Sequence, residues 1–455
     1  MSEAAPRPNV LWIVADQLRY QALSSSGDVN VPTPHIDRLV AEGVTCTGAV
    51  SQYPVCVPFR ASLMTGNLSP RNGTVRHGDY LPPGTPTAAH AFAAAGYRTS
   101  YVGKWHLAPE TGASFVTPEG WIGQSYWVHP DFRGGFQEWC GFNVSNNYWR
   151  NFVATGEEVK PEQLEGHQTD ALTDRTLEML ARQPAGTPWF HVLAYEAPHP
   201  GAGGTPRSPG YPVPEAYEDL VDPEALHLRP NVPADAEAAA RVQLAGYYQM
   251  IRHLDDNVGR LLDFLDDSGL ASSTLVVFLS DHGEMGGSQG LRHKHVPYAE
   301  SIDVPMVWRW PGVLPAGATY GGPICGVDVY PTAAGLSHVA TIDVAAGIDH
   351  ASVLRDPTTP PPRDDVLLQW DTPRFAFGDH PYRGLRTDRY TYTVGRDAPF
   401  CLLFDHEDDP FELRNRFDDP AAAAVRADLQ RRLEARLLEH EGALPEYVVH
   451  ARPAT

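Results

Sequence analysis

Several polar residues stand directly behind short apolar runs, where they could serve as ligands, acids or bases. Asp16 and Gln17 follow the run 9–15 (Asn-Val-Leu-Trp-Ile-Val-Ala), and Asp281 and His282 follow 274–279 within Ser280-Asp-His-Gly-Glu284. Lys104 and His106 follow 98–102 in Gly103-Lys-Trp-His-Leu107, and His199 follows 189–195 in Ala197-Pro-His-Pro200. Open α/β sheets place their active sites at such strand ends. Turns favour aspartate anyway, so one acidic strand end says little, whereas two acidic and two histidine-bearing ends together say more. Oxygen donors from Asp16, Gln17 and Asp281 with one imidazole suit a hard or borderline divalent ion better than a zinc thiolate site. A further piece is Cys56-Val-Pro-Phe-Arg60, followed by Ala-Ser-Leu-Met-Thr-Gly66. Pro58 favours a first helical turn, which puts Cys56 just before a helix start with Arg60 one turn on. A helix start lowers a thiol pKa and binds anions, although a lone cysteine is more often simply packed.

The elements that must hold these residues alternate between short apolar strands and amphipathic helices, the pattern of an α/β layered fold. The continuous apolar runs 9–15, 189–195 and 274–279 read as central strands buried on both faces, with further strands at 98–102 and 305–310. Helices are predicted over 34–42, 88–95 (with Gly96 as C-cap), 168–182 and 234–265. Near residue 360 the texture changes. Pro357-Thr-Thr-Pro-Pro-Pro362 cannot continue a helix or sheet and reads as a linker. Beyond it, strands at 366–370, 382–386 and 390–394 and a helix at 421–440 suggest a small antiparallel α+β unit. The expected division is a catalytic domain over 1–362 and a C-terminal subdomain over 363–455.

Composition excludes other classes. Lys and Arg number 35 against 56 Asp and Glu, a net charge of −21 that argues against nucleic acid and anionic membranes as partners. The five cysteines (Cys46, Cys56, Cys140, Cys325 and Cys401) are spread out without a CxxC pair, which argues against a disulfide framework. The apolar runs are too short to span a bilayer, and residues 1–8 lack a basic segment followed by an apolar one, so a cytoplasmic location is expected. A homo-oligomer is left open.

Cys56-x-Pro-x-Arg60 with Thr65-Gly66 resembles the signature of the type I sulfatases, in the alkaline phosphatase superfamily. The likeness extends in order through the first strand with Asp16, Pro32-Thr-Pro-His-Ile-Asp-Arg-Leu39, Gly103-Lys-Trp-His106 and Ser280-Asp-His-Gly-Glu284. It continues through Lys294 ahead of Tyr298-Ala-Glu-Ser301, Asp328-Val-Tyr-Pro-Thr332 and Leu403-Phe-Asp to Asn415, so it covers about residues 8 to 420. The resemblance implies an alkaline-phosphatase-like α/β/α sandwich with a smaller C-terminal antiparallel α+β domain. It also implies that a formylglycine-generating enzyme oxidises Cys56 to formylglycine. In that chemistry one hydroxyl of the hydrated aldehyde attacks sulfur and expels the alcohol. The second then loses its proton, releasing sulfate and restoring the aldehyde. By resemblance Asp16, Gln17, Asp281 and His282 hold one divalent cation. Arg60 and Lys104 hold the hydrated aldehyde, His106 is the base for sulfate release, and His199 and Lys294 bind sulfate and help protonate the leaving oxygen.

Three departures bear on this. Gln17 stands where many sulfatases carry a second aspartate, His282 where many carry asparagine, and Phe59 where a small residue is usual. Calcium is favoured, with manganese made a rival by the imidazole and magnesium a third choice. The substrate implied is an anionic small-molecule or glycan sulfate ester. Two alternatives stand beside it: a phosphonate monoester hydrolase or phosphodiesterase using the same site, and a silent binding protein of the same fold. Specificity is expected between His106 and Trp189. There Trp121, Tyr126, Trp127, Trp139, Tyr148 and Trp149 could either stack on a sugar or aryl group or cover the segment's own core.

Overall fold

The structure, a computed structural model, describes residues 7–109, 114–117, 120–156, 162–371 and 380–451. Eight strands form the main sheet: β1 (Asn9–Asp16), β2 (Val44–Cys46), β3 (Arg98–Lys104), β4 (Glu138–Phe142), β5 (Trp189–Pro198), β6 (Thr274–Ser280), β7 (Met306–Arg309) and β8 (Ala318–Tyr320). Their order is β8-β2-β7-β6-β1-β5-β3-β4. The stretch β6-β1-β5-β3-β4 is parallel throughout, while β7 runs antiparallel to both β6 and β2. The apolar runs are central strands because both faces are covered. Along β1, Val10, Trp12 and Val14 enter one apolar cluster, and Leu11, Ile13 and Ala15 enter the other. This is the period-2 alternation of a pleated strand, with no polar face left to solvent.

Helices α1 (Pro34–Glu42), α2 (Cys56–Thr65), α3 (Ala88–Ala94), α4 (Gln168–Ala181), α5 (Glu237–Asp267) and α6 (Gly326–Leu336) supply the two covering layers. α2, α3 and α6 pack on the Trp12 face, and α1, α4 and α5 on the Leu11 face. The α/β/α sandwich is therefore as expected, with element ends shifted by up to three residues. The central strands run further than their apolar runs, since β3 continues to Lys104 and β5 to Pro198. Each strand end keeps one ladder partner: Lys104 pairs with Phe142 of β4, and Pro198 with Asp16 of β1.

The C-terminal sheet is antiparallel in the order β9 (Val366–Trp370), β10 (Tyr382–Arg386), β11 (Tyr390–Gly395) and β12 (Leu402–Asp405), covered by α7 (Ala423–His440). β12 was not expected; its Leu-Leu-Phe-Asp run is four residues long with no alternation to read. The sheet shares its apolar clusters with the larger body. Val366, Leu385 and Leu433 pack with Val50, Leu68 and Val327, and Leu368, Trp370 and Phe404 pack with Tyr53, Val55 and Ile302. Among the described residues no helix is long and apolar enough to cross a membrane.

Candidate active site

Strand register brings the polar residues together. β1 and β6 pair in parallel with Ala15 opposite Ser280, so Asp16 and Asp281 emerge side by side. On the other flank β5 pairs with β1 and β3, and Ala194 lies opposite both Val14 and Gly103. Lys104, Glu196 and His199 therefore reach the same end of the sheet. Gly103 permits this approach: it holds φ +105°, and a Cβ there would lie 2.0 Å from the carbonyl oxygen of Ala194.

The start of α2 faces these strand ends. Cys56 is the first helical residue, with Val55 as extended N-cap, and the whole helix is buried. Phe59 fits because Gly326, at the start of α6, has no side chain; a Cβ there would sit 2.5 Å from the Phe59 ring. The Cys56 Sγ is 3.2 Å from His282 Nε2 and 3.8 Å from Asp16 Oδ1. Arg60, one turn on, binds both carboxylates. Its Nε donates to Asp281 Oδ2 at 3.0 Å, Nη2 to Asp16 Oδ2 at 3.1 Å, and Nη1 to the Lys104 carbonyl at 3.0 Å. Lys104 Nζ lies 2.8 Å from Asp16 Oδ2 and 3.4 Å from Glu196 Oε1.

Asp16, Asp281, His282 and Cys56 each offer one donor atom within 4.8 Å of the others, and all four are buried. His282 Nδ1 donates to the Gly283 carbonyl at 3.1 Å, which leaves Nε2 as the lone pair facing the carboxylates. Two carboxylates and one correctly turned imidazole fit a divalent cation. Gln17, with φ +70°, contributes its backbone N–H to Asp281 Oδ1 at 3.1 Å. Its side chain lies between Glu284 and Lys294, donating to the first and accepting from the second.

Charge states follow from burial and these neighbours. Burial alone would raise Asp16, but the Lys104 and Arg60 cations hold it well below the usual carboxylate range. Burial and the Asp16 charge push Asp281 up to about 6. Burial, then the nearby cations, hold His106, His199 and His282 far below the ordinary histidine value, so all three are neutral at pH 7. The Cys56 thiol departs from the expectation drawn from its helix start. Burial and Asp16 push it up to about 12, outweighing Lys294 and Lys104, so the unmodified side chain is a thiol and a poor nucleophile.

Above this cluster lies a cavity of about 340 Å³ walled by Cys56, Lys104, His106, His199 and Lys294. All the catalytic residues expected from the sequence except Arg60 line it, and Arg60 sits behind Cys56 against the carboxylates. His199 commits Nδ1 to the Pro200 carbonyl at 2.7 Å, so it offers Nε2 to the cavity. Four residues not singled out also belong here. Glu196 is a buried carboxylate that accepts from Asn146 N, Gln168 Nε2 and Lys104. Its signal was a charged residue inside an apolar strand. Glu284 was visible as the end of its motif, whereas His77 and Asn146 come from loops that carry no pattern.

Among the described residues, none of the segment's Trp or Tyr rings lines the cavity. Trp139 stacks on Tyr101, Tyr148 stacks on His167, Tyr126 and Trp127 join the Leu11-side cluster, and Trp149 is exposed. The buried rings thus belong to the two apolar clusters that flank the main sheet, and neither a stacking platform nor a separate core of the segment, the two readings of the sequence, describes them; the Trp121 side chain lies outside the described residues. Of the described rings, Tyr148 touches the site, donating its hydroxyl to the His199 carbonyl at 2.6 Å.

Comparison with known proteins places this geometry. The sulfatase family model matches residues 8–339, and a model described as the C-terminal part of N-sulphoglucosamine sulphohydrolase matches 287–439. An ulvan-active sulfatase of Formosa agariphila is 34% identical over 439 residues, covering 95% of this chain and 81% of that protein. The solved structure of a Bacteroides fragilis protein assigned to the sulfatases superposes with a TM-score of 0.84 at 26% identity, covering 100% of this chain and 99% of that one. A phosphonate monoester hydrolase of Agrobacterium radiobacter shares the fold, with a TM-score of 0.75 at 24% identity over 95% of this chain and 96% of that one. With a family model matching most of its length and a relative 34% identical across nearly all of it, the chain belongs to the type I sulfatase family and is a sulfatase enzyme.

Proposed function

We propose that the enzyme hydrolyses a carbohydrate or aryl sulfate ester, with Cys56 converted to formylglycine and one divalent cation, calcium favoured, held by Asp16, Asp281 and His282 with Gln17 alongside. The observation that carries this reading is the meeting, at one buried sheet end, of a metal-competent donor set with Cys56 and with Lys104, His106, His199 and Lys294 on one cavity wall. Bound there, the cation supplies Lewis acidity and lowers the pKa of a hydroxyl beside it. Formylglycine supplies, when hydrated, the hydroxyl nucleophile that a thiol held near pKa 12 does not.

The chain's own residues do the rest. Arg60 bridges Asp16 and Asp281 and fixes the spacing of their oxygens. Lys104 neutralises Asp16 and stands beside Cys56. His106 is a neutral imidazole on the cavity wall and takes the proton as sulfate leaves. Lys294 and His199 Nε2 face the sulfate oxygens and the leaving oxygen. The same cationic cavity and the Asp281-His282 pair fit a phosphonate or phosphate diester, which is the second reading. The test is mass spectrometry of the Cys56 peptide from protein made with the formylglycine-generating enzyme, joined to steady-state rates on paired aryl sulfate and phosphate diester substrates. An aldehyde at Cys56 with sulfate preferred is the expected result; an intact thiol in active protein would sink the mechanism, and diester preference would select the second reading.

A further inference from the structure

Lys294 reaches the cavity from a loop, and the residues on either side of it, His293 and His295, hold φ of +66° and +88°. Such a lysine presents its ammonium at a defined point only when both its backbone and its side chain are fixed. One buried carboxylate does both. Oε1 of Glu284 accepts the backbone N–H of His293 at 2.7 Å, that of Gly286 at 2.9 Å, and Nε2 of Gln243 at 2.9 Å. Its Oε2 accepts from Gln17 Nε2, and Gln17 Oε1 accepts from Lys294 Nζ. A carboxylate only accepts, so the Gln17 amide must face it with its NH2 end, which turns the amide oxygen toward the ammonium. Gln17 is itself anchored, through its N–H on Asp281 and through its carbonyl, which accepts from Tyr247 Oη at 2.8 Å.

We propose that Glu284 is the positioning residue for Lys294, acting through the Gln17 amide and the His293 backbone to set where the ammonium meets the sulfate oxygens. The inference rests on the reading of Lys294 as a sulfate-binding group. It also gives a physical reason for glutamine at position 17. An aspartate there would set two carboxylates against each other, while an amide passes an acceptor on to the lysine.

Glu284→Gln tests this with little change in shape. Its new NH2 faces the Gln17 NH2, so the Gln17 amide turns over and presents donors to an ammonium. The expected result is a loss of about ten- to a hundredfold in kcat/KM, carried mainly by KM and by weaker inhibition by inorganic sulfate, with an unchanged thermal midpoint. In the double variant Gln17→Glu/Glu284→Gln an acceptor-only group again lies between amide and ammonium, and kcat/KM recovers. A lowered midpoint without rescue assigns Glu284 a structural role only and overturns the proposal. Should Glu284→Gln fail to fold, Gln17→Leu, which cuts the relay and leaves Glu284 in place, must show the same KM-weighted loss.

A readout independent of turnover is available because the chain has three lysines, Lys104, Lys160 and Lys294. In protein labelled with 13C at lysine, the signal that Lys294→Arg removes must move in Glu284→Gln and return in the double variant. An unmoved signal, or a moved one with unchanged kcat/KM, overturns the proposal. Absence of sulfate ester turnover by the wild-type enzyme would instead refute the functional reading, while the lysine signal still reports whether Glu284 places Lys294.

Discussion

Asp16 and Asp281 are chemically equal in the sequence and unequal in the folded protein. Lys104, at 2.8 Å, keeps Asp16 charged, whereas Asp281 shares Arg60 with it and is pushed up to about 6 by burial and by the Asp16 charge. A protonated Asp281 cannot ligate a cation, so metal binding must weaken as pH falls. Below about pH 6, apparent metal affinity should drop about tenfold for each further pH unit, and calcium and manganese titration calorimetry at pH 5, 6 and 7 measures it. Constant affinity across that range would mean that Asp281 does not bind the ion. The identities of Asp16, Cys56, Arg60, Asp281 and His282 were legible because each sits in a short motif tied to a strand end or a helix start. Their charge states were not, because those depend on neighbours from segments far apart in the chain, as Asp16 and His282 are to each other.

At the scale of elements, the site depends on how closely two strands approach. Gly103→Ala would drive a Cβ into the Ala194 carbonyl at a positive φ, forcing β3 from β5. A destabilisation of roughly 3 kcal/mol or more is expected, read from denaturant midpoints, with activity falling because Lys104 follows Gly103 directly. A second element-scale effect concerns Glu412, in the turn after β12, whose Oε2 accepts the Ala299 N–H at 2.9 Å. Burial and neighbouring Glu300 push its carboxyl from 4.5 to about 8. The folded protein therefore holds this proton more tightly than the unfolded chain does. Stability from this group is complete below about pH 4.5 and is lost as pH rises through about 8. Glu412→Gln should flatten that decline, and urea midpoints at pH 5, 7 and 9 for both proteins would show it.

For the whole molecule, the C-terminal sheet is part of the site's support. Trp370, at the end of β9, lies with its ring centroid 4.8 Å from that of His295 and 5.7 Å from that of Tyr53, and these residues lead into Lys294 and Cys56. Trp370→Ala is expected to cost about 3–5 kcal/mol and to raise KM, since the cavity it leaves loosens both loops. Thermal denaturation and steady-state kinetics on the same preparation test the two effects together. The overall charge of −21 sets no limit on an anionic substrate, because Arg60, Lys104 and Lys294 converge on one small region of an acidic protein.

By itself the sequence determined the fold class, the strands and helices that carry the motifs, and the family. Those depend on local apolar periodicity and on short runs of residues whose spacing is written along the chain. Only the tertiary structure decided that Tyr126, Trp127, Trp139 and Tyr148 join the main core and that β12 completes the second sheet. It alone raised the Cys56 thiol rather than lowering it, and set the Gln17 side chain between Glu284 and Lys294. Each of these is a contact between segments far apart in sequence, where burial and the choice of hydrogen-bond partner outweigh local preference.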